Sequence, residues 1–124
     1  MVSLEPAIPM VRVLDEAIAR EFYVDRLGFS WDWESRFNTA APLYCQVSRG
    51  DLRIHLTGHV GDGTPGTHLF LPVEGIDELH AELESRGVPF VGPGIDDVPW
   101  GRVMAVVDPF ANQLNFTEWR DPAG

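Results

Sequence analysis

Apolar positions along the chain fall into short runs of two different periods. Ala7, Ile8, Met10, Val11 and Val13 form a strand-like run interrupted by Pro9. Proline donates no ladder bond, so this strand belongs at an edge, at a bulge or in an arm. Leu14, Ile18 and Phe22, then Tyr23 and Leu27, recur at i, i+4 on two adjacent rows and predict a helix. Asp15 is placed to cap it and Gly28 to stop it. Residues 29 to 35 alternate aromatic and polar, a half-exposed strand with Trp31 and Trp33 on one face. Residues 43 to 49 and 52 to 57 alternate around Arg49-Gly50-Asp51 and predict a β-hairpin. Four glycines and a proline over residues 58 to 66 predict a mobile loop. Residues 67 to 73 are the next strand. Ile76, Leu79, His80 and Leu83 predict a second helix that ends at Gly87. Three prolines and two glycines over residues 88 to 99 predict a mostly irregular segment, and residues 102 to 107 and 113 to 119 form a second hairpin around Asp108 to Asn112.

The order of elements repeats. Each half reads strand, Asp-capped helix, glycine stop, strand, hairpin, over about residues 5–58 and 66–119. Asp15 and Asp77 are 62 positions apart, and the turns at Gly50 and Ala111 are 61 apart. Two βαβββ modules of this size cannot each bury a sheet alone, so the expectation is one α+β domain over residues 1–124 with internal pseudo-symmetry.

Composition narrows the function. The chain is 44% hydrophobic and 23% charged, which is globular and not disordered. Its 124 residues allow burial of roughly two thirds of the unfolded surface. Nineteen acidic residues face nine basic ones, all arginine, for a formal charge of -10. That balance argues against nucleic acid and anionic membranes and favours a cationic partner. No apolar run is long enough for a membrane span, and the N-terminus lacks the features of a signal peptide. Cys45 is the one cysteine, so no internal disulfide forms and the expected compartment is the cytoplasm.

Residues 7 to 34 resemble the opening of the bleomycin resistance proteins, within the glyoxalase and extradiol dioxygenase superfamily, also called the vicinal oxygen chelate fold. Gly75 to Glu82, Pro99-Trp100-Gly101-Arg102 and Asp108-Pro109-Phe110-Ala111-Asn112 match later blocks in the same order. The superfamily pattern at the last block is Asp-Pro-x-Gly-Asn, with glycine where this chain has Ala111. The resemblance implies the glyoxalase/bleomycin resistance fold and an arm-exchanged homodimer, with Pro9 where the first strand crosses to a partner. It also implies two clefts at the dimer interface for a flat, cationic glycopeptide, held without chemical modification.

The candidate site residues follow from that resemblance and from their chemistry. Trp33, Phe37 and Trp100 match cleft aromatics, and Asp32 matches a cleft acid. Aromatic faces beside carboxylates suit a flat cation through stacking and cation–π contacts. The superfamily's metal-ligand positions fall on Ile8, His55, His68 and Asn115. Ile8 cannot bind a metal and Asn115 is a weak donor, so His55 and His68 are read as polar cleft residues and no resident cofactor is expected. The alternative is a metal-dependent lyase, isomerase or dioxygenase using His55, His68 and Glu118 around a divalent ion. Under period-2 alternation, however, Glu118 faces away from Asn115. A third reading is a binder of another aromatic metabolite. Cys45 is read as an inert thiol, and Gly61 to Gly66 is no phosphate loop because the chain has no lysine.

Overall fold

The structure is a computed structural model and describes residues 1–36 and 38–120. Its elements are β1 (Met10–Arg12), α1 (Glu16–Arg20), β2 (Ser30–Ser35), β3 (Tyr44–Arg49), β4 (Leu52–Thr57), β5 (His68–Pro72), α2 (Ile76–Ser85), β6 (Phe90–Val98), β7 (Gly101–Val107) and β8 (Gln113–Trp119). They form two four-stranded sheets of order β1-β4-β3-β2 and β5-β8-β7-β6. In each, the first strand pairs in parallel with the last and the remaining pairs are antiparallel. The repeat in the sequence is thus a repeat in topology, two βαβββ modules of mixed α+β architecture.

Both modules feed one apolar cluster. Val11, Cys45, Val47, Ile54 and Leu56 of the first sheet and Leu71, Met104, Val106, Leu114 and Phe116 of the second are buried in it. Each such large side chain contributes roughly 2 kcal/mol through its removal from water. Polar bonds cross the seam between modules: Tyr23 to Asp108 at 2.7 Å, Asn112 Nδ2 to the Arg12 carbonyl at 2.9 Å, and a bidentate Arg49–Glu82 pair at 2.8 Å. No helix among the described residues is long and apolar enough to cross a membrane.

Four local expectations are corrected. The first helix is short, and Glu21–Arg26 continues it as a π-helical turn. The wider turn shifts the phase of the helix face. Ala19, Phe22, Tyr23 and Leu27 are buried while Leu14 and Ile18 stay 64% and 47% exposed. Asp15 does cap this helix, accepting from the Ile18 amide at 2.9 Å. The second helix is not capped by Asp77. Its N-cap is Gly75, left-handed at φ 81°, and the Glu118 carboxylate accepts from the Gly75 and Ile76 amides at 2.8 and 3.1 Å. Asp77 lies in the first turn and pairs with Arg102.

The Pro/Gly-rich segment is a strand and not an irregular stretch. β6 pairs with β7 at Phe90–Val106 and again from Ile95–Met104, with a wide bulge between. Gly92 and Gly94 take positive φ there, so the bulge absorbs the residues that read as breakers. Finally, Trp31 and Trp33 do not share a face. Trp31 pairs with Val47 and Trp33 with Gln46, so Asp32 is an extra residue in β2 and the alternation shifts there.

Candidate functional site

The bulge in β2 shapes the open face of the first sheet. Trp31 turns inward against the core, with the Arg20 guanidinium 4.0 Å above its ring. Trp33 turns outward and is 42% exposed. The strand register then aligns Trp33, Gln46, His55 and Met10 in one row across four strands. Ser35, Tyr44, Thr57 and Arg12 form the next row on the same face.

These rows carry a continuous hydrogen-bond chain. Gln46 Nε2 donates to Asp32 Oδ2 at 2.9 Å. Gln46 Oε1 meets His55 Nε2 at 3.1 Å, and His55 Nδ1 meets the Tyr44 hydroxyl at 2.7 Å. Trp33 stacks on Tyr44 at 6.1 Å and stands edge-on to His55 at 5.2 Å. Bonds from Gln46, then Ser48, hold the Asp32 carboxyl below its ordinary range, so it is ionised at neutral pH. Burial lowers the His55 pKa, and burial, then the nearby Asp62, raises that of Tyr44. At neutral pH the chain therefore runs from an anion through two neutral groups to a protonated phenol.

A cavity of about 270 Å³ adjoins the Tyr44 end, lined by Ser35, Arg36, Tyr44, His59 and Asp62. The residue 58–66 loop forms part of its wall. Asp62 anchors the loop by accepting from the Thr57 hydroxyl at 3.0 Å, and Asn112 binds the Gly66 amide at 3.1 Å.

The second sheet carries the other candidates. Its open face exposes Phe70 and Trp119, whose rings lie 5.2 Å apart. Trp100 is 51% exposed in the β6–β7 turn. Arg120 braces that turn through Asp97 and the Val98 and Gly101 carbonyls. Gly101 is needed there because a Cβ would overlap the Glu118 carbonyl oxygen. His68 is exposed at the start of β5.

Asp32, Trp33 and His55 thus come together on the first sheet, while His68 and Trp100 belong to the second. Among the described residues no hydrogen bond or ring contact joins the two groups. Phe37 lies outside the described residues. Tyr44, Gln46, Phe70 and Trp119 are further candidate residues that sequence reading passed over. The two-residue turn at Gly50-Asp51 fixes Gln46 opposite His55, so that pairing could have been counted from the sequence.

The arrangement does not suit a metal. Both ring nitrogens of His55 are engaged, Asn115 accepts from Gln113 at 2.8 Å, and Glu118 is committed to the α2 N-terminus. No group of three or more His, Cys, Asp or Glu side chains gathers among the described residues where it could hold a metal ion. A larger cleft, about 380 Å³, opens at the seam over Leu27, Phe29, Leu83 and Phe116. None of the aromatic or polar-chain residues above lines it, so the geometry of the first sheet, and not cleft size, decides the candidate site.

A family model described as glyoxalase superfamily protein matches residues 1–123. The chain belongs to the glyoxalase superfamily. Solved relatives share the fold. A glyoxylase/bleomycin resistance protein/dioxygenase domain from Frankia sp. EAN1pec is 26% identical with a TM-score of 0.74, covering 97% of this chain and 96% of that one. The bleomycin-binding protein of the bleomycin-producing Streptomyces verticillus, solved with copper(II)-bleomycin, is 30% identical with a TM-score of 0.69, covering 95% and 98%. TnmS3, an antibiotic binding protein from Streptomyces sp. CB03234, is 22% identical with a TM-score of 0.71, covering 95% and 99%. No curated protein sequence matches the chain.

Proposed function

We propose that this glyoxalase-superfamily chain binds a flat, cationic glycopeptide antibiotic of the bleomycin class and sequesters it without breaking a bond. The observation that carries the reading is the exposed Trp33 ring, stacked on Tyr44 and adjacent to ionised Asp32. A planar heteroaromatic stacks on such a ring while its cationic tail meets the carboxylate. The 30% identity to a protein that binds copper(II)-bleomycin supports the same class. The formal charge of -10 adds steering for a cation.

The working form in this reading is an arm-exchanged homodimer in the cytoplasm. Residues 1–8 are exposed and lie outside the sheet, as an arm free to cross would be. Opposing the first sheet of one subunit to the second sheet of another would enclose ligand between Trp33 on one side and Phe70, Trp119 and Trp100 on the other. Any metal would arrive with the drug.

Titration of the metal-free protein with bleomycin and with copper(II)-bleomycin, followed by tryptophan fluorescence and calorimetry, tests this. Sub-micromolar binding with about one site per chain is expected. No binding of either form overturns the reading and leaves a binder of a different aromatic metabolite.

A further inference from the structure

We propose that Asp32, Gln46 and His55 act as positioning residues that turn the Tyr44 hydroxyl oxygen into a hydrogen-bond acceptor facing the open side of the sheet. The site then selects ligands that bring an N–H or ammonium donor to Tyr44 and disfavours those that bring a carbonyl or carboxylate. This specificity rests on the cationic-ligand reading above and sharpens it to one atom.

An ionised carboxylate only accepts, so Asp32 Oδ2 takes the amide NH2 end of Gln46 at 2.9 Å. The carbonyl end of Gln46 therefore faces His55 Nε2, 3.1 Å away. An amide carbonyl also only accepts, so His55 must carry its proton on Nε2. A neutral imidazole protonated at Nε2 has a bare Nδ1. Nδ1 lies 2.7 Å from the Tyr44 oxygen and accepts a hydrogen bond from its hydroxyl. Each link fixes the polarity of the next, and the fixed end is the charge on Asp32. The Tyr44 hydroxyl, its one proton committed to His55, has only lone pairs left for a ligand.

The surroundings agree with a donor ligand. Asp62 lines the same cavity as Tyr44 and adds negative charge beside it. Arg36, the cation in that wall, is tied to Glu16 and to Glu34 at 3.6 Å and to the Ala41 carbonyl at 3.3 Å. It is therefore already paired and does not offer an open anion site.

The test reads the ligand-free protein first. Nitrogen-15 correlation spectra of the His55 ring distinguish the two neutral tautomers. At neutral pH the wild type is expected to show the Nε2–H form alone. Asp32→Asn, which can present either polarity to Gln46, and Gln46→Leu, which cuts the chain, are each expected to yield a mixture. Asp32→Glu is expected to restore the single form. A wild-type Nδ1–H tautomer, or an unchanged tautomer in both broken variants, overturns the proposal. The second arm uses benzylammonium and benzoate as matched probes. Selective perturbation of Tyr44 and His55 by benzylammonium is expected, and equal response to both, or none to benzylammonium, overturns the selectivity. Neither arm uses bleomycin, so failure of the drug-binding reading would appear separately.

Discussion

The Tyr23 hydroxyl donates to the Asp108 carboxylate across the seam between the two modules, 2.7 Å apart and fully enclosed. Asp108 belongs to the β7–β8 turn, where its carboxylate also accepts from the Phe110 and Asn112 amides and from the Asn112 side chain. One buried charge is thus satisfied by its own turn and by a ring from the other module. Tyr23→Phe removes only the bond between modules. Hydrogen bonds to charged groups are worth about 1.5–3 kcal/mol. The three remaining donors place the expected loss near the low end, about 2 kcal/mol, measured by urea denaturation. A variant as stable as the wild type would mean that the turn alone satisfies Asp108.

Ala111 sits in that turn at φ 67°, the one non-glycine residue in the left-handed region among the described residues. An L side chain there costs roughly 1–2 kcal/mol, and glycine's larger unfolded-state entropy offsets part of the relief. Ala111→Gly is expected to stabilise the protein by about 0.5–1 kcal/mol, read as a higher denaturation midpoint. Destabilisation would mean that the methyl group makes packing contacts worth more than the strain.

Several features could be counted from residues alone. The glycine stops, the Asp15 cap, the two hairpins and the equal order of elements all follow from local rules, because a two-residue turn or a left-handed glycine fixes its neighbours directly. The inserted residues could not be counted. Asp32 in β2, the π turn at Glu21–Arg26 and the bulge in β6 each add residues that break the period on which a face assignment depends. Trp31 and Trp33 were separated by just such an insertion. In the candidate site the pairing of Gln46 with His55 could be counted from the turn, but the Asp32 end of the chain and the outward face of Trp33 depend on the bulge.

Cys45 faces the core, and burial pushes its thiol up to about 12. Thiolate is the reactive form, so almost none exists at pH 8. Native protein is expected to leave a disulfide reagent such as dithionitrobenzoate unconsumed, while urea-unfolded protein reacts with one equivalent per chain. Prompt reaction of the native protein would show that the first sheet opens readily.

The Arg49–Glu82 pair joins the β3–β4 turn to α2, and Arg49 also donates to the Leu27 carbonyl. The hydrogen bonds from Arg49 lower the Glu82 pKa below its ordinary 4.5. A carboxylate with a depressed native pKa stabilises the fold above its unfolded value and loses that contribution as pH falls through the native value. Both partners are about one third exposed, so screening limits the pair to about 1 kcal/mol or less. The stability difference between wild type and Glu82→Gln is expected to be constant above pH 5 and to shrink below pH 4.5. A difference independent of pH would assign the effect to packing.

Trp31 and Trp33 should respond in opposite ways to the same substitution. Trp31 packs against the core beneath Arg20, so Trp31→Ala is expected to cost about 1–3 kcal/mol of stability. Trp33 is turned to the open face, and its contacts are to Tyr44 and His55 and not to the core. Trp33→Ala is expected to leave stability within about 0.5 kcal/mol, the usual range for surface positions. If Trp33 is the stacking platform for a planar ligand, the same variant loses most of the bleomycin-induced fluorescence change and weakens binding by tenfold or more, since a stacked ring contributes about 1–3 kcal/mol. Binding retained in Trp33→Ala but lost in Trp100→Ala would move the platform to the second sheet.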